Sequence, residues 1–168
     1  MMPDREFFRQ DARKLAPALI GKILVRALPD GRELRARITE TEAYCGIEDT
    51  ACHAHKGKTA RTEVLWMDGG TIYVYLCYGI HEMLNIVSGS SGEPQAVLIR
   101  GVEGFDGPGK LTKAFGIDRS LNRADILCCP ELRIEDDSTL VNITSSPRIG
   151  IGYADKADQD ALWRFKLK

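Results

Sequence analysis

Apolar and polar positions alternate with a period of two through most of this chain, the rhythm of a β-strand, and a helical period appears only in short pieces. Strand-like runs occupy Lys22 to Leu28, Glu33 to Tyr44, Thr71 to Cys77, Met83 to Ser88, Ala96 to Val102 and Arg148 to Tyr153. The first two flank Pro29-Asp30-Gly31-Arg32, whose Asp-Gly step favours a hairpin. Gly89 to Pro94 reads as a second hairpin loop. Two helices are expected: Asp11 to Leu19, with Asp11 as N-cap and Pro17 near its end, and Leu111 to Phe115. The second is entered through Gly107-Pro108-Gly109-Lys110, where the missing proline N–H costs little. Residues 140 to 146 give no clear signal. With no repeat or linker, the 168 residues are expected to form one α+β domain, a mixed and mostly antiparallel β-sheet surrounded by short helices.

The same period assigns faces. Leu34, Ala36, Ile38, Glu40 and Glu42 fall on one side of their strand, and Arg35, Arg37, Thr39 and Thr41 on the other. Two carboxylates therefore end an apolar face, where partial desolvation would tune one of them as a general base. An acid in such a place also serves as the structural partner of an arginine. Tyr73, Tyr75 and Cys77 share a face of the next strand, whereas Tyr78-Gly79 ends the run. Tyr75 can then floor a pocket while Tyr78 projects from a turn, as a wedge in a base stack would. Tyrosines at this spacing also act simply as cross-strand packing.

Composition narrows the class without naming it. Hydrophobic content of 43% and charged content of 28% are ordinary for a soluble protein. No run approaches the roughly 18 apolar residues of a membrane span. The opening Met1-Met2-Pro3-Asp4-Arg5 has no apolar signal stretch, so the expected location is the cytoplasm, with the nucleoid if the source is bacterial, away from membranes. A net charge of −1 leaves nucleic-acid affinity to local patches. Lys56, Lys58 and Arg61 form one, and Lys110 at a helix N-terminus offers another phosphate contact. The five cysteines are odd in number and lack Cys-x-x-Cys spacing, which points to free thiols. Cys52, His53 and His55, with Glu48 and Asp49 upstream, are zinc-type ligands at weak spacing. No metal and no cofactor are expected.

Taken in order, the motifs resemble the alkyladenine DNA glycosylase family, also called the 3-methyladenine or methylpurine DNA glycosylases. The resemblance runs through G-K-I-L-V-R (Gly21 to Arg26), R-I-T-E-T-E-A-Y (Arg37 to Tyr44), E-D-x-A-x-H-A (Glu48 to Ala54) and G-K-T-x-R-T (Gly57 to Thr62). It continues through Y-V-Y-L-x-Y-G (Tyr73 to Gly79), A-V-L-I-R (Ala96 to Arg100), G-P-G-K-L (Gly107 to Leu111) and R-I-G-I-G (Arg148 to Gly152). The segment Gly101 to Asp106 is shorter than the family's usual insert, and the family's extra terminal strand is not expected after Trp163-Arg164-Phe165. Ala60 stands where proline is common, and Leu65-Trp66 where Met-Phe is usual.

The resemblance implies a monofunctional enzyme that flips a damaged purine from double-stranded DNA and hydrolyses its N-glycosidic bond, starting base excision repair; a monomer is expected. Alkylated and deaminated purines would be its substrates. Glu42 would activate water, helped by Arg100 and the backbone carbonyl of Ile149. Tyr44 and His53 would stack on one face of the flipped base and Tyr75 on the other. Asn85 would stand against the base edge and disfavour a guanine amino group, while Tyr78 would fill the gap in the duplex. Two rival readings follow from the same residues: a lesion-binding DNA module with little or no turnover, and a metal-dependent hydrolase built on the histidines.

Overall fold

The Asp-Gly turn sets the first strand pairing. Gly31 adopts φ +87°, a region open to glycine, so that its N–H reaches the Leu28 carbonyl at 3.0 Å and the Leu28 N–H reaches the Arg32 carbonyl at 2.8 Å. Strands β1 (Ile23–Ala27) and β2 (Glu33–Tyr44) leave this turn antiparallel, with Ala27 opposite Glu33 and Ile23 opposite Arg37. The computed structural model describes all residues from Met1 to Lys168. Further strands are β3 (Ile72–Cys77), β4 (His81–Val87), β5 (Ala96–Val102), β6 (Phe105–Asp106), β7 (Leu132–Glu135), β8 (Ile143–Ser146) and β9 (Arg164–Leu167). The helices are α1 (Arg5–Phe8), α2 (Ala12–Leu19), α3 (Pro108–Phe115) and α4 (Lys156–Asp160). Every pairing is antiparallel, so the α+β architecture expected from the alternation is the one observed.

The sheet runs in the order β3-β4-β5-β2-β1-β7, with β9 also paired to β2 and β8 to β9. Its two faces have different tasks. Ile72 and Val74 of β3, Leu84 and Ile86 of β4, Val97 and Ile99 of β5 and Ala43 of β2 join the main core, together with Leu15, Ala16 and Leu19 of α2 and Leu111 and Phe115 of α3. The Asp11 side chain caps α2 by accepting from the Arg13 N–H at 2.9 Å. The opposite face carries Tyr73, Val87 and Ala96, packed with Cys52, Ala54, Val64 and Leu65 and flanked by Tyr44 and Tyr75. No helix is long and apolar enough to cross a membrane.

The simple alternation expected along β2 fails at its centre. Opposite β5, Ile38 pairs with Val102, Glu40 with Gly101 and Thr41 with Ile99, so an extra residue enters first on β2 and then on β5. These paired bulges reverse the faces of both strands. Ile38 and Val102 lie in the main core, and so do Ala43 and Ile99 an odd number of positions away. Thr41, expected on the face away from Ile38, instead donates its hydroxyl to the Ala16 carbonyl of α2 at 2.8 Å. Glu40, Glu42 and Tyr44 are thereby turned to the other face, and Arg100, the extra residue on β5, is turned with them.

Three further departures have physical reasons. Arg148 to Tyr153, expected as a strand, has no ladder partner: Gly150 turns the chain at φ +73°, and the Ile149 N–H is spent on a carboxylate. The unassigned stretch at residues 140 to 146 contains β8, which gains its order by pairing with β9. Strand β9 (Arg164–Leu167), not among the strands expected from the alternation, is ordered by pairing with β2 and β8.

Gly101 sits in close quarters within the bulge pair. A Cβ there would stand 3.1 Å from Thr39 Oγ1 and 3.4 Å from Glu40 Cβ. Gly101→Val should therefore lower stability by about 1–3 kcal/mol, read from the urea midpoint; an unchanged midpoint would show that the bulges tolerate a branched side chain.

Candidate active site

The reversed segment of β2 places a carboxylate in the interior. Glu42 is fully buried, and each of its oxygens is held by a donor from a different part of the chain. Oε2 accepts from the Ile149 N–H at 2.7 Å, and Oε1 accepts from the Tyr44 hydroxyl at 2.9 Å and more weakly from Arg100 Nη1 at 3.4 Å. Burial pushes the Glu42 carboxyl above its ordinary value, and Arg100, the Ile149 N–H and the Tyr44 hydroxyl pull it back only in part. The Tyr44 phenol is itself held well above its usual range by burial and by the charge of Glu42, so it remains a donor.

Glu40, the other acid on this face, has a different environment. Its Oε1 accepts from Arg100 Nε at 3.2 Å and from Arg164 Nη1 at 3.3 Å, with Lys166 Nζ 3.9 Å from Oε2. It is thus the arginine-paired structural acid, and by binding Nε it holds Arg100 with Nη1 facing Glu42.

Behind Glu42 lies a buried ion pair. Arg148 donates to Asp49 through Nη1 at 2.6 Å and Nη2 at 2.9 Å, and also to the carbonyls of Ala43 and Asp158 at 3.0 and 3.2 Å. Asp49 in turn accepts the N–H groups of Cys45 and Ala51 at 2.9 and 3.1 Å. The guanidinium lies 5.0 Å from the Tyr44 ring and 4.9 Å from that of Trp163. These contacts staple the loop after β2 to the segment that carries Ile149.

A cleft of about 890 Å³ opens beside the donors to Glu42, lined among others by Tyr44, His53, Tyr75, Arg100 and Ile149; Glu42 itself is buried behind them and is not part of the wall. A narrow recess of about 40 Å³ continues inward to Asn85, whose Nδ2 donates to the Tyr73 and Met83 carbonyls, both at 3.3 Å. His53 Nδ1 lies 2.9 Å from the Tyr73 hydroxyl, and burial, with Arg61 nearby, lowers its pKa to about 4. The His53 and Tyr75 rings meet edge to face at 4.6 Å. At the rim, Tyr78 and Gly79 take φ +52° and +67° in the three-residue loop between β3 and β4, where the Ile80 N–H donates to the Cys77 carbonyl at 3.1 Å. The left-handed backbone holds the Tyr78 side chain 88% exposed, a conformation disfavoured for a bulky residue.

Residues 6–107 and 104–168 match the family model described as methylpurine-DNA glycosylase. The chain belongs to that family. It is 45% identical to a protein of Borrelia garinii subsp. bavariensis named "Putative 3-methyladenine DNA glycosylase", over 98% of this chain and 95% of that one. Proteins of the same name from Natranaerobius thermophilus and Methanocella arvoryzae are each 43% identical, over 100% and 96% of this chain and 96% and 90% of theirs.

In this methylpurine-DNA glycosylase family member, Glu42, Tyr44, Arg100 and Ile149 converge directly, and His53, Tyr75 and Asn85 surround the adjoining recess. Ile149 touches Glu42 through its N–H, whereas the motif resemblance implies a role for its carbonyl. Lys56, Arg61, Lys110 and Tyr78 line the cleft. Lys58 instead turns its ammonium over the Trp66 ring, 5.8 Å from the centroid. The weak metal set is dispersed: His55 Nδ1 bonds the Ile47 carbonyl at 2.8 Å, Asp49 is taken by Arg148, and no three His, Cys, Asp or Glu side chains gather as a ligand group. Sequence reasoning misses the Asp49–Arg148 pair, whose members stand 99 positions apart, and Tyr153, which shares the cleft wall. Both arginine and aspartate lie inside motif blocks, but no local spacing announces their pairing.

The raised pKa of Glu42 has a consequence for stability. The folded state binds this proton more tightly than the unfolded chain, so the burial penalty is absent below the unfolded pKa and fully felt above the folded one. Glu42→Gln should raise the thermal midpoint at pH 7, with the gain shrinking as pH falls through the carboxylate range. A midpoint below that of wild type at pH 7 would show that the charged hydrogen bonds outweigh burial.

Proposed function

We propose that this chain is a DNA-3-methyladenine glycosylase that extrudes alkylated or deaminated purines from duplex DNA and hydrolyses the N-glycosidic bond with water activated by Glu42. The observation that carries this reading is the buried carboxylate, held by three donors whose residues line an aromatic cleft. Water attacks C1′ of the sugar and gives its proton to Glu42, while the electron pair of the C1′–N bond leaves with the base. The carboxylate also steadies the positive charge that develops on the sugar, a task strengthened by the dry surroundings. Arg100, oriented by Glu40, and Ile149 stand beside the same oxygens and support the placement of that water.

The aromatic groups suit a flipped purine. Tyr44 and His53 would cover one face and Tyr75 the other, but His53 and Tyr75 are only 4.6 Å apart. A base between them needs about 3.5–4 Å on each side, so one ring swings aside as the base enters. His53 remains neutral down to a pKa of about 4, which spares a cationic alkylpurine such as 3-methyladenine or 7-methylguanine a charged neighbour. Asn85 closes the recess against the base edge. Tyr78 fills the vacated stack, and Lys56, Arg61 and Lys110 bind the phosphate backbone from the cleft, with Lys58 reaching it from outside. The chain works on double-stranded DNA as a monomer in the cytoplasm or on the nucleoid, without a cofactor.

The test is single-turnover base release from alkylated DNA and from duplexes carrying hypoxanthine or ethenoadenine, with a chelator present. Wild type should release base and Glu42→Gln should not, while lesion binding by Glu42→Gln persists. Tight binding without release by wild type would favour a lesion-binding module, and release abolished by the chelator would favour metal chemistry. Tyr78→Ala should weaken binding to duplex lesions by about 1–3 kcal/mol, the worth of one stacked aromatic, with little change in thermal midpoint; unchanged affinity would exclude the wedge.

A further inference from the structure

The Arg148 guanidinium is fully buried, touches neither the cleft nor its phosphate-binding rim, and yet spends four hydrogen bonds on three separate segments. Such a pair is a poor device for stability alone, since desolvating both ions consumes most of what their attraction returns, and apolar residues of similar volume do as well or better. Its Nε is also left without a partner, a cost that a purely stabilising arrangement would avoid. What the pair does control is orientation. Arg148 immediately precedes Ile149, whose N–H meets Glu42 Oε2, and its charged plane lies 5.0 Å from the ring of Tyr44, whose hydroxyl meets Oε1. The Trp163 ring also lies 4.9 Å from the guanidinium. Neither Ile149 nor the loop holding Asp49 has a strand ladder to fix it.

We propose that Arg148, anchored by Asp49 and in contact with the Tyr44 and Trp163 rings, is a positioning residue for the reaction: it sets the Tyr44 hydroxyl and the Ile149 N–H on the two oxygens of Glu42. The proposal rests on the reading of Glu42 as the group that activates water. The groups facing Glu42 are Tyr44 on its own strand, Arg100 from β5, and Arg148, the Ile149 N–H and Tyr153 from the segments after β8. Arg164 from the neighbouring β9 turns to Glu40 and the Pro147 carbonyl instead. Removing Arg148 therefore takes away one of two cations near Glu42 and loosens two of its three donors, so protonation of Glu42 becomes easier.

The experiment uses the neutral pair Arg148→Met with Asp49→Leu, which leaves no stranded charge. Single-turnover release should fall by about tenfold to a hundredfold, as expected for misplaced catalytic groups, and the acid limb of the pH–rate profile should move to higher pH. Release within about twofold of wild type, with the acid limb unmoved, would overturn the proposal. Should the double variant not fold, Arg148→Lys keeps the charge but loses the fork and the flat ring contact. It should slow release and move the acid limb upward by less than the double variant does, because the cation stays while the two donors loosen, and a wild-type rate would again overturn the role. Glu42→Gln is measured alongside. If it releases base at the wild-type rate, the Glu42 reading itself fails; if it is inactive while the Arg148 variants are fully active, only the positioning role fails.

Discussion

A carboxylate buried at the centre of a sheet is the constraint to which the rest of this molecule answers. Isolated, it would cost several kcal/mol or simply take up a proton, so it persists as an acid of use only if donors are brought to both oxygens. Two of those donors come from outside the strand that carries Glu42. The Arg100 guanidinium arrives because paired bulges turn β2 and β5 together, with Gly101 packed closely against Thr39 and Glu40 between them. The Ile149 N–H arrives because its segment gives up strand pairing and is stapled by Arg148 to Asp49. Tyr44 arrives from two residues along the same strand, its ring resting on the same guanidinium.

The division of labour between the two sheet faces follows from this. One face is an ordinary core, aliphatic and closed by α2 and α3. The other is aromatic, partly hollow and costly: a carboxylate with a raised pKa, a histidine held neutral, an arginine with an unpartnered Nε and, at the rim, a tyrosine in left-handed backbone. The first face supplies the stability that lets the second hold strained and desolvated groups.

Much of this is legible in the amino-acid sequence alone. The hairpin at Pro29 to Arg32, the central strands and α2 with its Asp11 cap follow from period and turn chemistry, and Glu42 and its aromatic neighbours lie within recognisable motif blocks. The features that escape a sequence reading are set by pairing at a distance. Strict alternation places Ile38 and Glu42 on one face, and only the partner strand reveals the bulges that separate them. Arg148 to Tyr153 has the composition of a strand but spends an N–H on a side chain. The short β8 and β9 are stable only against each other and β2, and the Asp49–Arg148 bond joins residues that no window of sequence contains together.

The central claim is that this scaffold holds Glu42 against the water that attacks an extruded purine nucleotide. A crystal structure of the Glu42→Gln variant on a duplex carrying one ethenoadenine tests it most directly. The account predicts the nucleotide outside the stack, its base between Tyr75 and the Tyr44–His53 side, and a water within about 3–3.5 Å of both C1′ and the side chain at position 42. A lesion still stacked in the duplex, or an extruded one whose C1′ faces away from position 42, would contradict it.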